Sequence, residues 1–209
     1  MDCEEVRLYL IHRISFGEGP FRVEFTVEFT HPRQKSVNQS FTIETASAHE
    51  MPHSIHLFLD MVDSKVWDDT VFLHHEKVEH VLAAAPIDHE SHLIKISQLH
   101  ELGWDGLGFP EYSEKHPHKK FSVGFADRGP TFYINTMNNE QIHGPRGQGH
   151  HTLDEDADPC FAEVVDGFDV VEALINFGML HSKLAMGSNS PWADEAHSWT
   201  HIVSVRLLN

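Results

Sequence analysis

Apolar and polar residues alternate along several short stretches of the chain, which is the pattern of half-buried β-strands. The clearest stretch is 21–30, FRVEFTVEFT, in which every odd-numbered residue is phenylalanine or valine and every even-numbered residue is charged or threonine. Shorter β-rich stretches bounded by turn residues follow at 40–45, 71–73, 121–126, 131–136, 160–165 and 201–208. This pattern predicts a mainly β fold.

Two stretches have helical spacing instead. The first, 51–62, has Pro52 where a first helical turn accepts proline, and an apolar face formed by Ile55, Phe58, Leu59 and Val62. The second follows the Asp166-Gly167 turn and places Phe168, Val171, Leu174 and Ile175 on one face. Gly178 is predicted to end this second helix, because glycine commonly follows a helix C-terminus.

Three segments, taken together and in this order, resemble the cyclophilin family of peptidyl-prolyl isomerases. They are MPHSIHLFLDMV at 51–62, GPTFYINT at 129–136 and FAEVVDGFDVVEALINFG at 161–178. The resemblance implies a cyclophilin-like closed eight-stranded antiparallel β-barrel capped by two α-helices, in which the first two strands form a hairpin and the last strand pairs back with it. That domain would span 21–209, and 1–20 would be an N-terminal extension.

The positions at which the resemblance implies catalytic residues carry other side chains here. Aligning Phe72 on a phenylalanine of the family puts His74 at the catalytic arginine, and one inserted residue puts Ala83 at the glutamine. A neutral histidine donates one hydrogen bond and a charged one donates two, from a shorter arm than that of arginine. Alanine offers no polar group at all.

The hydrophobic proline pocket of the family is matched in part. Tyr133 corresponds to an aromatic residue at the floor of that pocket, Thr131 to a glutamine, and His143 is the nearest ring to the family's tryptophan. Asp158 falls where the family has a histidine. Peptide-groove candidates are therefore Phe72, His74, Ala83, Thr131, Tyr133 and His143.

These departures favour a binding module for an extended or proline-containing peptide or protein, with little or no isomerase activity. The alternative is an active peptidyl-prolyl isomerase with an atypical site, in which His74 or Arg128 supplies the donor. Arg128 has a simpler interpretation as a solvated turn residue. Fold alone does not decide between the two functions.

Composition narrows the range of partners. The formal net charge is −17 with the 19 histidines counted as neutral. Such a charge disfavours nonspecific binding to nucleic acid and to anionic membranes, both of which require a basic surface. Free histidine side chains are about half charged near pH 6.5, so the high histidine content is consistent with a pH-responsive surface. The simpler interpretation is a compositional bias.

A metal site is a weaker hypothesis. His150, His151 and Asp154 lie close together in a polar loop, but no His-x-x-x-His or His-Glu-x-x-His spacing occurs in the chain. A specific site needs three or four converging ligands, so a solvated acidic loop is the simpler interpretation. Nothing in the sequence predicts a cofactor.

The two cysteines, Cys3 and Cys160, form no disulfide framework, and a single bridge between them is left open. No stretch has the length and apolarity of a membrane span, and no signal peptide is expected at Met1. The sequence does not decide the cellular compartment. One option is that the chain is the luminal or extracellular part of a longer secretory-pathway protein.

Overall fold

The structure is a computed structural model that describes residues 16–29, 36–75, 80–91, 93, 95, 106–108, 111–147, 157–185 and 200–208, with the backbone alone at 74, 75 and 177–185. The strands are β1 Arg22–Phe29, β2 Val37–Thr45, β3 Thr70–His75, β4 Val81–Ala85, β5 Ser122–Phe125, β6 Phe132–Asn135, β7 Cys160–Asp166 and β8 Thr200–Leu208. The helices are α1 Pro52–Asp63, α2 Glu140–His143 and α3 Phe168–Ala185.

The eight strands form one closed barrel in the order β1-β2-β7-β5-β6-β4-β3-β8, and β8 returns to β1. Every neighbouring pair is antiparallel. The predicted closed eight-stranded antiparallel barrel is therefore confirmed. So are the first hairpin, β1 with β2, and the return of the last strand to it.

The barrel interior is filled with aromatic and aliphatic side chains. The apolar parity of β1 points inward, and its valines and phenylalanines are all buried. Phe25 stacks on Phe41 with ring centroids 5.0 Å apart, and Phe125 stacks on Phe161 at 4.5 Å. Each fully buried side chain of this kind contributes about 1.5–3 kcal/mol relative to exposure, so the interior supplies most of the driving force for folding.

Helix α1 caps the barrel, as predicted, and begins at Pro52. Phe58 inserts between Phe132 and Phe161, with centroid distances of 5.7 and 5.0 Å. The first turn is capped by a distant carboxylate, because Glu111 accepts the backbone N–H of Ser54 at 2.8 Å. Burial raises the pKa of Glu111.

Helix α3 packs against β2 and β3 and runs through Gly178 to Ala185, so the prediction that Gly178 ends it is wrong. Glycine inside a helix costs about 1 kcal/mol relative to alanine, and the residues after it are good helix formers. The glycine that the turn requires is Gly167, at φ 72°, where a Cβ would lie 2.7 Å from the Cα of Phe41.

Residues 16–20 lie against the barrel, where Phe16 packs on the core and Glu18 accepts the N–H of Ala48 at 3.3 Å. The division between an extension at 1–20 and a domain at 21–209 stays a prediction, since 1–15 fall outside the described residues. Within the described part of the chain, no helix has the length and apolar character to cross a membrane.

Candidate functional site

The outer face of β6 is buried although a barrel strand normally keeps only its inner face from water. Phe132 and Ile134 point into the core, whereas Tyr133 and Asn135 point outward, and all four are at most 2% exposed. Three segments cover the outward pair. They are a loop that we call the strap, residues 111–120, then helix α2, and then residues 157–159.

Asp158 is the centre of this covered region. One oxygen of its carboxylate accepts the hydroxyl of Tyr133 at 2.8 Å and lies 2.9 Å from Nδ1 of His143. The other oxygen accepts the backbone N–H of Asp127 at 3.1 Å. Because an ionised carboxylate only accepts hydrogen bonds, His143 donates through Nδ1. Three donors thus converge on one carboxylate that is 2% exposed.

His118 attaches the strap to this region. Its Nε2 lies 3.0 Å from the backbone carbonyl oxygen of Asp158, so Nε2 carries the proton and donates. Its Nδ1 is then unprotonated and faces the side-chain amide of Asn135, a hydrogen-bond donor 3.4 Å away. The side chain has no exposed surface, and burial lowers its pKa to about 4. The neutral tautomer therefore fits the site at pH 7.

Two asparagines extend the network across the neighbouring elements. Asn135 donates to the hydroxyl of Ser122 at 2.9 Å, and Asn139 donates to the side-chain oxygen of Asn135 at 2.8 Å. The backbone N–H of Asn139 donates to the carbonyl of His118, also at 2.8 Å. The strap, β5, β6 and α2 are thereby joined through buried hydrogen bonds, which are costly to leave unmade.

Gly124 on β5 makes room for this packing. A Cβ at that position would lie 2.9 Å from the carbonyl oxygen of Pro159 and 3.2 Å from ring atoms of both His118 and Tyr133. Any larger residue would push the rings or the Pro159 backbone off the strand. The covered face therefore depends on a residue without a side chain at its centre.

The middle of the strap is held by Glu50. Its carboxylate accepts a hydrogen bond from Nζ of Lys115 and lies 3.1 Å from Nε2 of His116. These contacts, that of Lys115 first, lower the pKa of Glu50 to about 2. A cleft of about 280 Å³ opens beside this attachment, lined by Pro20, Glu44, Thr45, Ala46, Ser47, Glu50, His116, Ala162 and Glu163.

The strap joins β5 through a strained residue. Phe121 has φ 71°, a left-handed conformation that costs a bulky residue about 1–3 kcal/mol. Its N–H donates to Asn135 and its carbonyl accepts from Val164, at 2.8 and 2.9 Å. Phe121 is thus held in place by the sheet on both sides.

Tyr133 and His143, two of the predicted groove residues, are brought together by Asp158. Ala83 pairs with Tyr133 across β4 and β6, and both pack with Val81 in a small apolar cluster. Thr131 lies immediately before β6, half-buried, and its carbonyl accepts the N–H of Ala126 at 2.9 Å.

The other predicted groove residues lie apart from this face or outside its description. Phe72 is a core residue, with its ring tilted on those of Phe25 and Phe41, so it is not available to a ligand on the outer surface. His74 pairs with Leu82 in β3 and β4, and its side chain lies outside the described residues. Arg128, which was predicted not as a groove residue but as the alternative donor, is exposed on the β5–β6 turn.

The metal candidates His150, His151 and Asp154 lie outside the described residues. In the ranges that the structure covers, no three His, Cys, Asp or Glu side chains are grouped to hold a metal ion. Cys160 is a free, buried thiol that lies 3.5 Å from the carbonyl of Pro117. Burial raises its pKa to about 12, so it stays protonated and unreactive.

Sequence reasoning missed the roles of His118, Asn135 and Asn139, and it noted Asp158 only as a departure from a family pattern. The usable signal was in β6 itself, FYIN, where strand alternation puts Tyr133 and Asn135 outside the barrel. Carboxylate, imidazole and phenol together could form a general acid–base unit. Here all three are buried and bonded to one another, so the arrangement is closed to substrate.

No protein-family model matches this chain, and no curated protein matches it either. The likeness to cyclophilins therefore stays a resemblance carried by the residues of 51–62, 129–136 and 161–178.

Proposed function

We propose that this chain is a cyclophilin-like binding module with little or no prolyl isomerase activity, which recognises an extended or proline-containing segment of a peptide or protein. One observation carries the proposal. The face on which the resemblance implies a pocket and its donors is closed by buried side chains that bond to one another.

The chemistry of isomerisation argues against activity at this face. Rotation about a prolyl bond has a barrier of about 18–20 kcal/mol because the amide is conjugated, and a fixed donor to the twisted amide lowers it. Ala83 has only a methyl group at the glutamine position. The hydroxyl of Tyr133 already donates to Asp158. Neither of these two positions thus offers a hydrogen-bond donor to a prolyl amide.

The barrel also limits how a partner binds. Each of the eight strands is paired on both sides over at least part of its length, which leaves little strand edge for a peptide to extend. Side chains and loops on the surface are therefore expected to supply most of the contacts. Because the formal net charge is −17, a partner segment that carries lysine or arginine is favoured electrostatically.

The test combines catalysis and binding in one sample. Exchange NMR on a Xaa-Pro peptide with flanking lysines measures cis–trans exchange, and chemical-shift changes of the protein measure binding, at pH 6 and pH 8. We expect shift changes without accelerated exchange. The same peptide with flanking glutamates is the matched control and should bind more weakly. Accelerated exchange would favour the enzyme, and no shift change for either peptide would refute the binding module.

The alternative, an active isomerase with an atypical site, is favoured by one feature. Arg128 is exposed, and among the described residues its guanidinium is held only by a 3.4 Å contact from Nη1 to the carbonyl of Gly108. A guanidinium is a permanent donor. If exchange is accelerated, Arg128→Ala should abolish it. A rate unchanged by that substitution would exclude Arg128 as the donor.

A further inference from the structure

We propose that the strap is an acid-released cover: charging of His118 as pH falls below about 6 detaches 117–120 from the outer face of β5 and β6 and opens that face to a ligand. The opening to a ligand rests on the proposed function. The release itself does not, and it can be measured without any partner.

The geometry around His118 favours the neutral ring. Nε2 is committed as a donor to the carbonyl of Asp158, and Nδ1 faces the side-chain amide of Asn135, itself a donor, at 3.4 Å. A second proton on Nδ1 would meet that N–H group, and the Tyr133 hydroxyl oxygen would accept it only over a long contact of 3.4 Å. The imidazole has no exposed surface through which water could solvate the new charge. Charging thus favours any state in which His118 reaches water.

The titratable groups that face His118 come from three elements. Asp158, on 157–159, is a carboxylate and favours the charged ring. His143, on α2, has its ring centroid 5.8 Å away and acts electrostatically to lower the pKa of His118. Tyr133, on β6, places its hydroxyl 3.4 Å from Nδ1. Burial outweighs the attraction of Asp158, which is why His118 is neutral when the strap is closed.

The two attachments of the strap respond to acid in different ways. At Glu50, the carboxylate stays ionised throughout the pH range in which histidines charge, because its pKa is about 2. It therefore keeps its contacts with Lys115 and His116. The attachment at His118 loses its fit over the same range. Acid therefore frees 117–120 while 115 and 116 stay attached, so the movement is local.

Cys160 reports the release directly. Its thiol lies 3.5 Å from the carbonyl of Pro117, and the residue, which belongs to the barrel strand β7, is only 1% exposed. Detachment of 117–120 would uncover it without unfolding the barrel. The Cys3→Ser variant makes Cys160 the only thiol in the chain.

The experiment measures labelling of Cys160 by a pyridyl disulfide in the Cys3→Ser protein at pH 7.5 and pH 5. Each rate is normalised to that of a cysteine peptide at the same pH. With a His118 pKa of about 4 in the closed state and 6.5 when solvated, the normalised rate should rise about 30-fold at pH 5. His118→Gln should remove this rise. His116→Gln, on the same strap, is the matched control and should keep it.

Hydrogen exchange on the unsubstituted protein covers the case in which His118→Gln does not fold. The N–H groups of Lys119, Ser122 and Asn139, which donate within or to the strap, should lose protection at pH 5, whereas those of β1 should not. Equal loss in β1 would mean global unfolding and would overturn the proposal. An unchanged labelling rate, or a rise that persists in His118→Gln, would also overturn it.

Binding of the lysine-flanked Xaa-Pro peptide at pH 7.5 and pH 5 separates this inference from the proposed function. Faster labelling with no binding at either pH would refute the binding module and leave the release standing. Binding without faster labelling would refute the release and support the module. Faster labelling with equal binding at both pH values would refute the control of binding by the strap.

Discussion

The two faces of strand β6 are equally protected from water and are held in different ways. Inward, Phe132 contacts the rings of Phe58 and Trp67 edge-on, with centroids 5.7 and 4.7 Å away. Outward, Tyr133 and Asn135 meet hydrogen-bonding groups from the strap, α2 and 157–159. Burial alone does not reveal this difference.

The difference has energetic consequences. Apolar packing is non-directional and does not depend on pH, and its strength follows the area and volume that are filled. A buried hydrogen-bond network is directional, and each group left without a partner costs about 1–3 kcal/mol. The inner face should thus carry the stability of the barrel, and the outer face should be the part that chemical conditions can change.

The largest expected effect is at the inner face. Phe132→Ala should lower the free energy of unfolding by about 3–5 kcal/mol, because it removes a ring that contacts four other aromatic residues and leaves a cavity. Urea unfolding followed by circular dichroism measures the loss. Phe168→Ala is the matched control, since Phe168 is 43% exposed, and should cost far less. Similar losses for both variants would contradict the assignment of the core to the inner face.

This comparison also explains which parts of the molecule could be predicted from sequence. The inner face could be predicted because its residues repeat with the period of a strand, as in 21–30, and the period alone assigns them to a core. The end of α3 could not be predicted, because Gly178 permits a C-terminus without requiring one, and most of the residues that follow it are good helix formers.

The outer face could not be predicted for a different reason. His118 and Asp158 come from turn-rich segments 40 residues apart and meet through the carbonyl of Asp158. Polar residues in such segments usually remain in water, so no local pattern marks them as buried. Only the tertiary fold brings them onto Tyr133.

The second effect is a dependence on pH that comes from the outer face. The pKa of His118 is lowered from 6.5 to about 4. The contribution of the buried neutral ring to the free energy of unfolding is therefore complete above pH 6.5 and is lost as the pH falls toward 4. The loss amounts to as much as about 3 kcal/mol, relative to states in which His118 is solvated. Urea unfolding at pH 7, 5.5 and 4.5 should show it as a difference between the wild type and His118→Gln that shrinks with acid. A difference that is constant with pH would mean that His118 is not buried as a neutral ring.

The smallest expected effect on stability comes from removing one hydrogen-bond donor. Tyr133→Phe removes the hydroxyl that donates to Asp158 at 2.8 Å and keeps the ring. His143 and the N–H of Asp127 still donate to the carboxylate. We therefore expect a loss of about 1 kcal/mol in the free energy of unfolding, measured in urea at pH 7.5.

Tyr112→Phe is the control for that variant, because Tyr112 is half-buried on the strap and its hydroxyl makes no hydrogen bond within the described residues. It should change stability very little. A loss for Tyr133→Phe as large as that for Phe132→Ala would mean that the network acts as a unit, so that removing one donor releases the strap. A double-mutant cycle with His143→Gln would then show a coupling energy well above the scatter of independent sites. Additive losses would instead mean that each donor holds Asp158 separately, and that release requires the charging of His118.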